Sequence, residues 1–215
     1  ATLVAAFHLH DFSLEYVWQN SSLTTPRFYL TTGLWGGQSG SLLFWGWLTL
    51  GYGAIAIVRR WRADIALLPW FTAVMGGVGA FYLFLVAFVS NPFERLTVLP
   101  LDGNGLNPLL QHPGMAFHPP ALYLGLTGLT VPFAFGMAAL ASGRLDAGWL
   151  FASRRWTLIG WAFLTLGLSL GGRWAYDVLG WGGYWGWDPV ENAALMPWIA
   201  GTAFLHSVMV QERRG

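Results

Sequence analysis

A chain of 215 residues with 55% apolar, 17% aromatic and only 10% charged side chains does not read as a soluble domain, which carries about 25% charged residues. It has no cysteine, so no disulfide, thiolate nucleophile or thiolate metal ligand comes from it. The net charge is +1 and all 11 basic residues are arginine; no nucleic-acid partner is expected, and what matters is where the arginines lie.

In chain order, residues 1–7 are apolar but far shorter than the roughly 20 residues a span needs. They read as the tail of a helix. With Gly215 ending the chain directly after another apolar segment, a fragment of a longer protein is expected. Residues 11–40 form a polar stretch with scattered aromatics. Within it, Asn20-Ser21-Ser22 is a weak glycosylation match. Five apolar segments follow, at 42–58, 65–89, 119–141, 156–171 and 193–210, each near the length of a spanning helix. The fold class is therefore all-α: a single polytopic transmembrane helix bundle of about five complete spans plus a partial N-terminal one. Asn91-Pro92 and Asn107-Pro108 are cap-then-first-turn signals, which predict short interfacial helices starting at Pro92 and Pro108.

Alternating the spans places Arg59, Arg60, Arg62, Arg144, Arg154, Arg155, Arg213 and Arg214 on one side, and only Arg27, Arg95 and Arg173 on the other. The positive-inside rule makes the first side cytoplasmic. The loops at 8–40, 90–118 and 173–192 then face outward, which in a bacterium is the periplasm.

Residues 181–192 read Trp-Gly-Gly-Tyr-Trp-Gly-Trp-Asp-Pro-Val-Glu-Asn. Glycine lets a backbone approach a flat partner, and tryptophan offers a rigid face with one N–H donor. The cluster suits a flat, partly apolar ligand, although tryptophan is also enriched at any membrane surface. Asp188, Pro189 and Glu191 have the spacing of a capping box, so both acids are read as helix-capping groups and no catalytic acid is assigned.

His118 directly precedes Pro119-Pro120 and is read as the residue capping that span. There the helix dipole disfavours imidazolium and leaves the neutral ring that metal coordination needs. By spacing alone, a histidine that only hydrogen-bonds at an interface fits as well. His206 lies inside the last segment, where an ionisable group is costly and functional by default; a neighbour such as Thr202 or Ser207 could equally satisfy it. His206 is 14 residues past Asn192, about 21 Å along a helix, so it and the tryptophan cluster cannot serve one metal atom. His8, His10 and His112 read as loop histidines.

The pattern Trp181-Gly182-x-x-Trp185-x-Trp187-Asp188 resembles the tryptophan-rich WWD signature of the haem-handling proteins of cytochrome c maturation. Its continuation Pro189-Val190-Glu191-Asn192-Ala193, with Met196-Pro197-Trp198, resembles the CcmF-type branch. Ser90-Asn91-Pro92-Phe93, the run from Leu106 to Gln111, His118-Pro119-Pro120 and Gly201-Thr202-Ala203 before His206 do so too. Tyr184 stands where some members of the family have another tryptophan.

The resemblance implies a multi-pass protein of the bacterial inner membrane, part of a multi-subunit cytochrome c haem lyase. In it, His118 would be an axial ligand of transient substrate haem. Trp181, Gly182, Gly183, Trp185, Trp187 and Asp188 would form the haem platform. His206 would ligate a permanent haem b whose second ligand lies outside this chain. Implied partners are a CcmE-like haem chaperone, apocytochrome c with its CcmH/CcmI-like thiol-handling subunit, a quinol electron donor and membrane lipid. The competing readings are a transporter or export channel for haem or another apolar solute, and an anchor whose tryptophans are only an interfacial belt.

Overall fold

The computed structural model describes residues 2–60, 65–144 and 148–214. Among them the architecture is all-α, with no strand beyond one isolated bridge between Leu14 and Arg95. Three short helices come first: α1 (Thr2–His8), α2 (Glu15–Asn20) and α3 (Arg27–Thr32). Five long ones follow: α4 (Gln38–Arg60), α5 (Leu68–Phe84, continued by a π turn over Leu85–Val89), α6 (Pro113–Ser142), α7 (Gly148–Val178) and α8 (Pro189–Arg214). Four stretches are long and apolar enough to cross a membrane: Gln38–Arg60, Leu68–Val89, Pro113–Ser142 and Pro189–Gln211. The expected span at 156–171 lies wholly inside α7, whose overall apolarity is diluted by Arg154, Arg155 and Arg173. Arg62, counted above for topology, lies outside the described residues.

The chain packs as two compact units, Ala1–Trp47 with Ala80–Phe117, and Leu48–Gly79 with His118–Gly215. In the first, Leu3, Phe7, Phe12, Leu14, Tyr16, Val17 and Leu30 form a buried core. Residues 11–40, expected as a loop, are thus largely helical and packed. The Tyr16 hydroxyl accepts from the Gly37 N–H at 2.9 Å and lies near the carbonyls of Gly33 and Gly37, both 3.1 Å. No added Cβ fits at Gly40, where it would meet the Leu34 carbonyl and the Tyr16 ring.

Residues 90–112 are stitched to this core by backbone bonds. Glu15 donates to the Glu94 carbonyl (2.9 Å), Leu96 to that of Ser13 (2.9 Å), Asn104 to that of Trp18 (2.8 Å) and Gly105 to that of Ser21 (3.0 Å). This explains why the helix expected at Pro92 does not form. Asn91 does take the Phe93 N–H on its side chain, at 2.9 Å, but the backbone of Glu94 and Leu96 is then committed to residues 13–15. Pro108 does open a short 3-10 turn, Pro108–Leu110, with Asn107 accepting from the Leu109 N–H.

In the second unit, Tyr52, Ala56, Phe71, Met75, Val131, Phe135 and Trp156 form one core, and Leu122, Leu164 and Ala194 a second. α6 and α7 meet backbone to backbone through glycines. A Cβ at Gly128 would lie 2.9 Å from Gly160 Cα, and one at Gly167 would lie 2.8 Å from the Leu122 nitrogen. Small residues permitting such approach are the usual means of helix packing in lipid. α7 and α8 are joined by two indole–hydroxyl bonds, Trp161 to Thr202 and Trp198 to Thr165, each 2.8 Å, with the two indoles stacked at 5.8 Å.

Candidate functional site

His118 does not cap its helix. α6 begins five residues earlier, at Pro113, and the cap is His112, whose Nδ1 accepts the Gly114 N–H at 3.0 Å. The two prolines do not break the helix, and one backbone group they orphan is satisfied. Pro119 has no N–H to offer the Met115 carbonyl, and that carbonyl accepts the Trp35 indole N–H at 2.9 Å. His118 is therefore held inside a regular helix.

The His118 ring lies against α7. Its Nδ1 is 2.8 Å from the Gly167 carbonyl. A carbonyl only accepts, so Nδ1 carries the proton and Nε2 keeps a bare lone pair, the tautomer that binds a metal through Nε2. The ring is stacked on Trp174, centroids 6.3 Å apart at 14°, and its Cε1 would lie 2.5 Å from a Cβ at Gly171. His118, Gly171, Gly172, Trp174, Trp185, Asp188 and Glu191 line one cleft. The cleft is partly open, with a cavity volume of about 60 Å³, room for about two waters. Trp185 also borders an open groove of about 420 Å³, lined with Ser169, Gly172, Tyr184 and Trp198.

The tryptophan-rich loop is shorter than residues 173–192, because α7 runs on to Val178. Between the helices, Gly182 takes a positive φ of 66°, a conformation glycine adopts without a Cβ penalty. Trp187 has a φ of 57°, which is unusual for a bulky residue and concentrates strain where the loop enters α8. The capping box that follows holds it. Glu191 N–H donates to Asp188 Oδ1 at 2.7 Å, and Glu191 Oε2 accepts from Asp188 N–H at 3.3 Å and from Gly186 N–H at 2.9 Å. The Asn192 amide donates to the Trp187 carbonyl at 3.1 Å. Trp187 is 70% exposed, Tyr184 56% and Trp181 50%, so three rings face outward on a braced backbone. Trp185 turns inward, and its Nε1, like that of Trp174, is buried without a partner. At the end of α7, Arg173 donates to Asp177 at 2.8 Å; that bond first, and the carboxylate's charge second, raise the guanidinium's pKa.

His206 stands apart from this cleft. α8 is continuous from Asp188's box to Arg214, so the separation of about 21 Å from Asn192 holds. Its Nδ1 is 2.8 Å from the Thr202 carbonyl, so again Nδ1 donates and Nε2 is bare. The ring is on an exposed face of α8 with Met196, Ile199 and Met209, which are 66%, 54% and 40% exposed. The remaining histidines are elsewhere. His8 ends α1 and bonds Thr31 at 3.0 Å, and His10 has φ 52° with a buried, unpartnered Nδ1. Among the described residues, no three His, Cys, Asp or Glu side chains gather where they could hold a metal ion. Each histidine can offer one bond, not a complete site.

Sequence reasoning missed Gly167, Gly171 and Trp174. The signal was there: Gly160, Gly167 and Gly171 recur at helical spacing on one face of α7, as small residues do where helices pack closely, and Trp174 continues that face.

The fold defines an all-α, multi-pass membrane protein. The chain belongs to the cytochrome c assembly protein family, whose model matches residues 35–215. It is 50% identical to the cytochrome c-type biogenesis protein ccl1 of Rhodobacter capsulatus, over all of this chain and 33% of that protein. It is 48% identical to the cytochrome c-type biogenesis protein CcmF of Escherichia coli, over 99% of this chain and 33% of that one. A solved structure titled "Cytochrome c Heme Lyase CcmF" superposes with a TM-score of 0.82 at 41% identity, covering 99% of this chain and 33% of its own. The CcmF-type resemblance is thereby established. The chain spans about a third of the length of the relatives it matches.

Proposed function

We propose that this chain is the haem-presenting part of a cytochrome c haem lyase in the bacterial inner membrane, with the tryptophan-rich loop facing the periplasm. The observation that carries the reading is the Gly167 carbonyl on His118 Nδ1, which leaves Nε2 as the ring's bare nitrogen in a cleft shared with Trp185 and Asp188 of that loop. Substrate haem would rest on Trp181, Gly182, Gly183, Trp185, Trp187 and Asp188, with His118 as one axial ligand. The haem supplies vinyl groups, across which cysteine S–H bonds of the apocytochrome add. This chain has no cysteine, so both thiols come from the partner, and what its residues contribute is position, exclusion of water and control of axial ligation.

His206 fits one half of a permanent haem b site. Its Nδ1–H is tied to the Thr202 carbonyl, and its Nε2 is presented on an apolar face that a membrane protein would have to cover, since an ionisable group facing lipid is costly. When bound, the haem would supply one-electron chemistry for reducing the substrate haem. The second ligand, the CcmE-like chaperone, the CcmH/CcmI-like thiol-handling subunit and the quinol donor belong to the reading as partners outside this chain. A transporter would need polar groups along a path through the spans; the five apolar segments carry no Asp, Glu, Lys or Arg and one histidine, His206, which favours a fixed site over a path.

The test uses the full-length membrane protein. His206→Ala should abolish the haem that survives purification, and His118→Ala should abolish only the haem acquired from the donor. Unchanged haem content in either variant would remove that site from the reading.

A further inference from the structure

Gly160, Leu164, Gly167, Gly171 and Trp174 line one face of α7, and α6 lies directly on it. A Cβ at Gly125 would be 2.6 Å from the Leu164 nitrogen, and one at Gly160 would be 2.9 Å from the Leu129 nitrogen. The two backbones are already in contact, so the seam holds no spare space for an added side chain. Into this face His118 inserts its ring, bonded through Nδ1 to Gly167 and stacked on Trp174. A Cβ at Gly171 would lie 2.5 Å from His118 Cε1, 2.7 Å from Nδ1 and 3.2 Å from Nε2, whereas non-bonded carbons rest about 3.5–4.0 Å apart. Any side chain at 171 must therefore displace the ring by about 1 Å and break or bend the Gly167 bond.

We propose that Gly171 is a positioning residue for His118. It has no side chain so that the imidazole can lie in the α7 notch, with Nδ1–H on the Gly167 carbonyl and Nε2 left as the bare nitrogen in the cleft shared with Trp185 and Asp188. This inference rests on the reading of His118 as a haem ligand. Partners that orient a ligating histidine and set its tautomer commonly govern metal affinity by about 10–100-fold.

The experiment uses the full-length protein in its membrane complex, in a His206→Ala background so that only haem at the outer site is counted. Haem affinity and the Soret position are measured for Gly171→Ala, Gly160→Ala, His118→Gly and the pair Gly171→Ala with His118→Gly, all at matched levels of folded protein. Gly171→Ala is expected to weaken binding at least about 10-fold and to shift the Soret band, while Gly160→Ala, on the same packed face but away from the ring, does neither. Added to His118→Gly, the alanine should cost nothing more, because the ring it displaces is gone, and free imidazole should restore binding in His118→Gly but less well in the pair, where the methyl stands in the ring's place; equal rescue would overturn the proposal. If Gly171→Ala does not fold, the pair with His118→Gly should fold; failure of the pair as well overturns the proposal. So do losses that multiply in the pair, a Gly160→Ala effect as large as that of Gly171→Ala, or a Gly171→Ala spectrum like the wild type. If His118→Gly itself keeps wild-type affinity, the ligand assignment falls, and this inference with it.

Discussion

Glu191 should prove essential to the tryptophan-rich loop without being catalytic. Its Oε2 accepts from Gly186 N–H at 2.9 Å and from Asp188 N–H at 3.3 Å, holding the backbone on both sides of Trp187, the residue with φ 57°. Glu191→Ala removes both acceptors. At about 1 kcal/mol per exposed hydrogen bond, with no added term for the helix dipole, the loop loses about 2 kcal/mol of local stability. That corresponds to about 30-fold faster amide exchange, since each 1.4 kcal/mol is about tenfold. Glu191→Gln keeps an acceptor and loses the charge, so it should lie between, at about fivefold. Hydrogen exchange followed by mass spectrometry on peptides covering 182–190, with the protein in nanodiscs, reads this directly. Exchange within about twofold of wild type in Glu191→Ala would show that the capping box does not brace the loop.

Other expectations follow from the packing. Trp35→Phe leaves the Met115 carbonyl without its donor and should cost about 1–3 kcal/mol in denaturant unfolding; in a Pro119→Ala background residue 119 regains an N–H, and that cost should shrink. Gly128→Ala forces a Cβ to 2.9 Å from Gly160 Cα and should lower the thermal midpoint, at about 1–3 kcal/mol for overpacking. The stacked pair Trp161 and Trp198 should show coupling of about 0.5–1.5 kcal/mol when each is changed to Leu in a double-mutant cycle; additive effects would mean the stack contributes nothing. Trp185→Phe with Trp187→Phe should lower haem retention by the full-length protein, whereas a simple interfacial belt would tolerate both changes.

Much of this was legible before any coordinates. The long helices announce themselves through length and apolarity, and the capping box at Asp188-Pro189-Val190-Glu191 is a local pattern whose bonds the structure contains. Asn107-Pro108 opened its turn for the same local reason. Asn91-Pro92 did not open a helix, because its downstream backbone pairs with residues 13–15, and no local rule anticipates a partner some eighty positions away. The start of α6 was misplaced by six residues because Pro119-Pro120 looks like a beginning. The helix runs through it, and the Trp35 indole, supplied from distant sequence, takes the carbonyl that Pro119 leaves without a donor.

The sequence by itself determined the class of protein, the two candidate histidines, their separation along the chain and the shape of the tryptophan-rich loop's anchor. These depend on composition, hydrophobic length and bonds between near neighbours. Tertiary structure alone decided which nitrogen of His118 is free, because that depends on a carbonyl 49 residues away. It also decided that the ring shares a cleft with Trp185 and Asp188, and that Gly171 must lack a side chain. Those facts arise where two helices touch, and the spacing within either helix does not contain them.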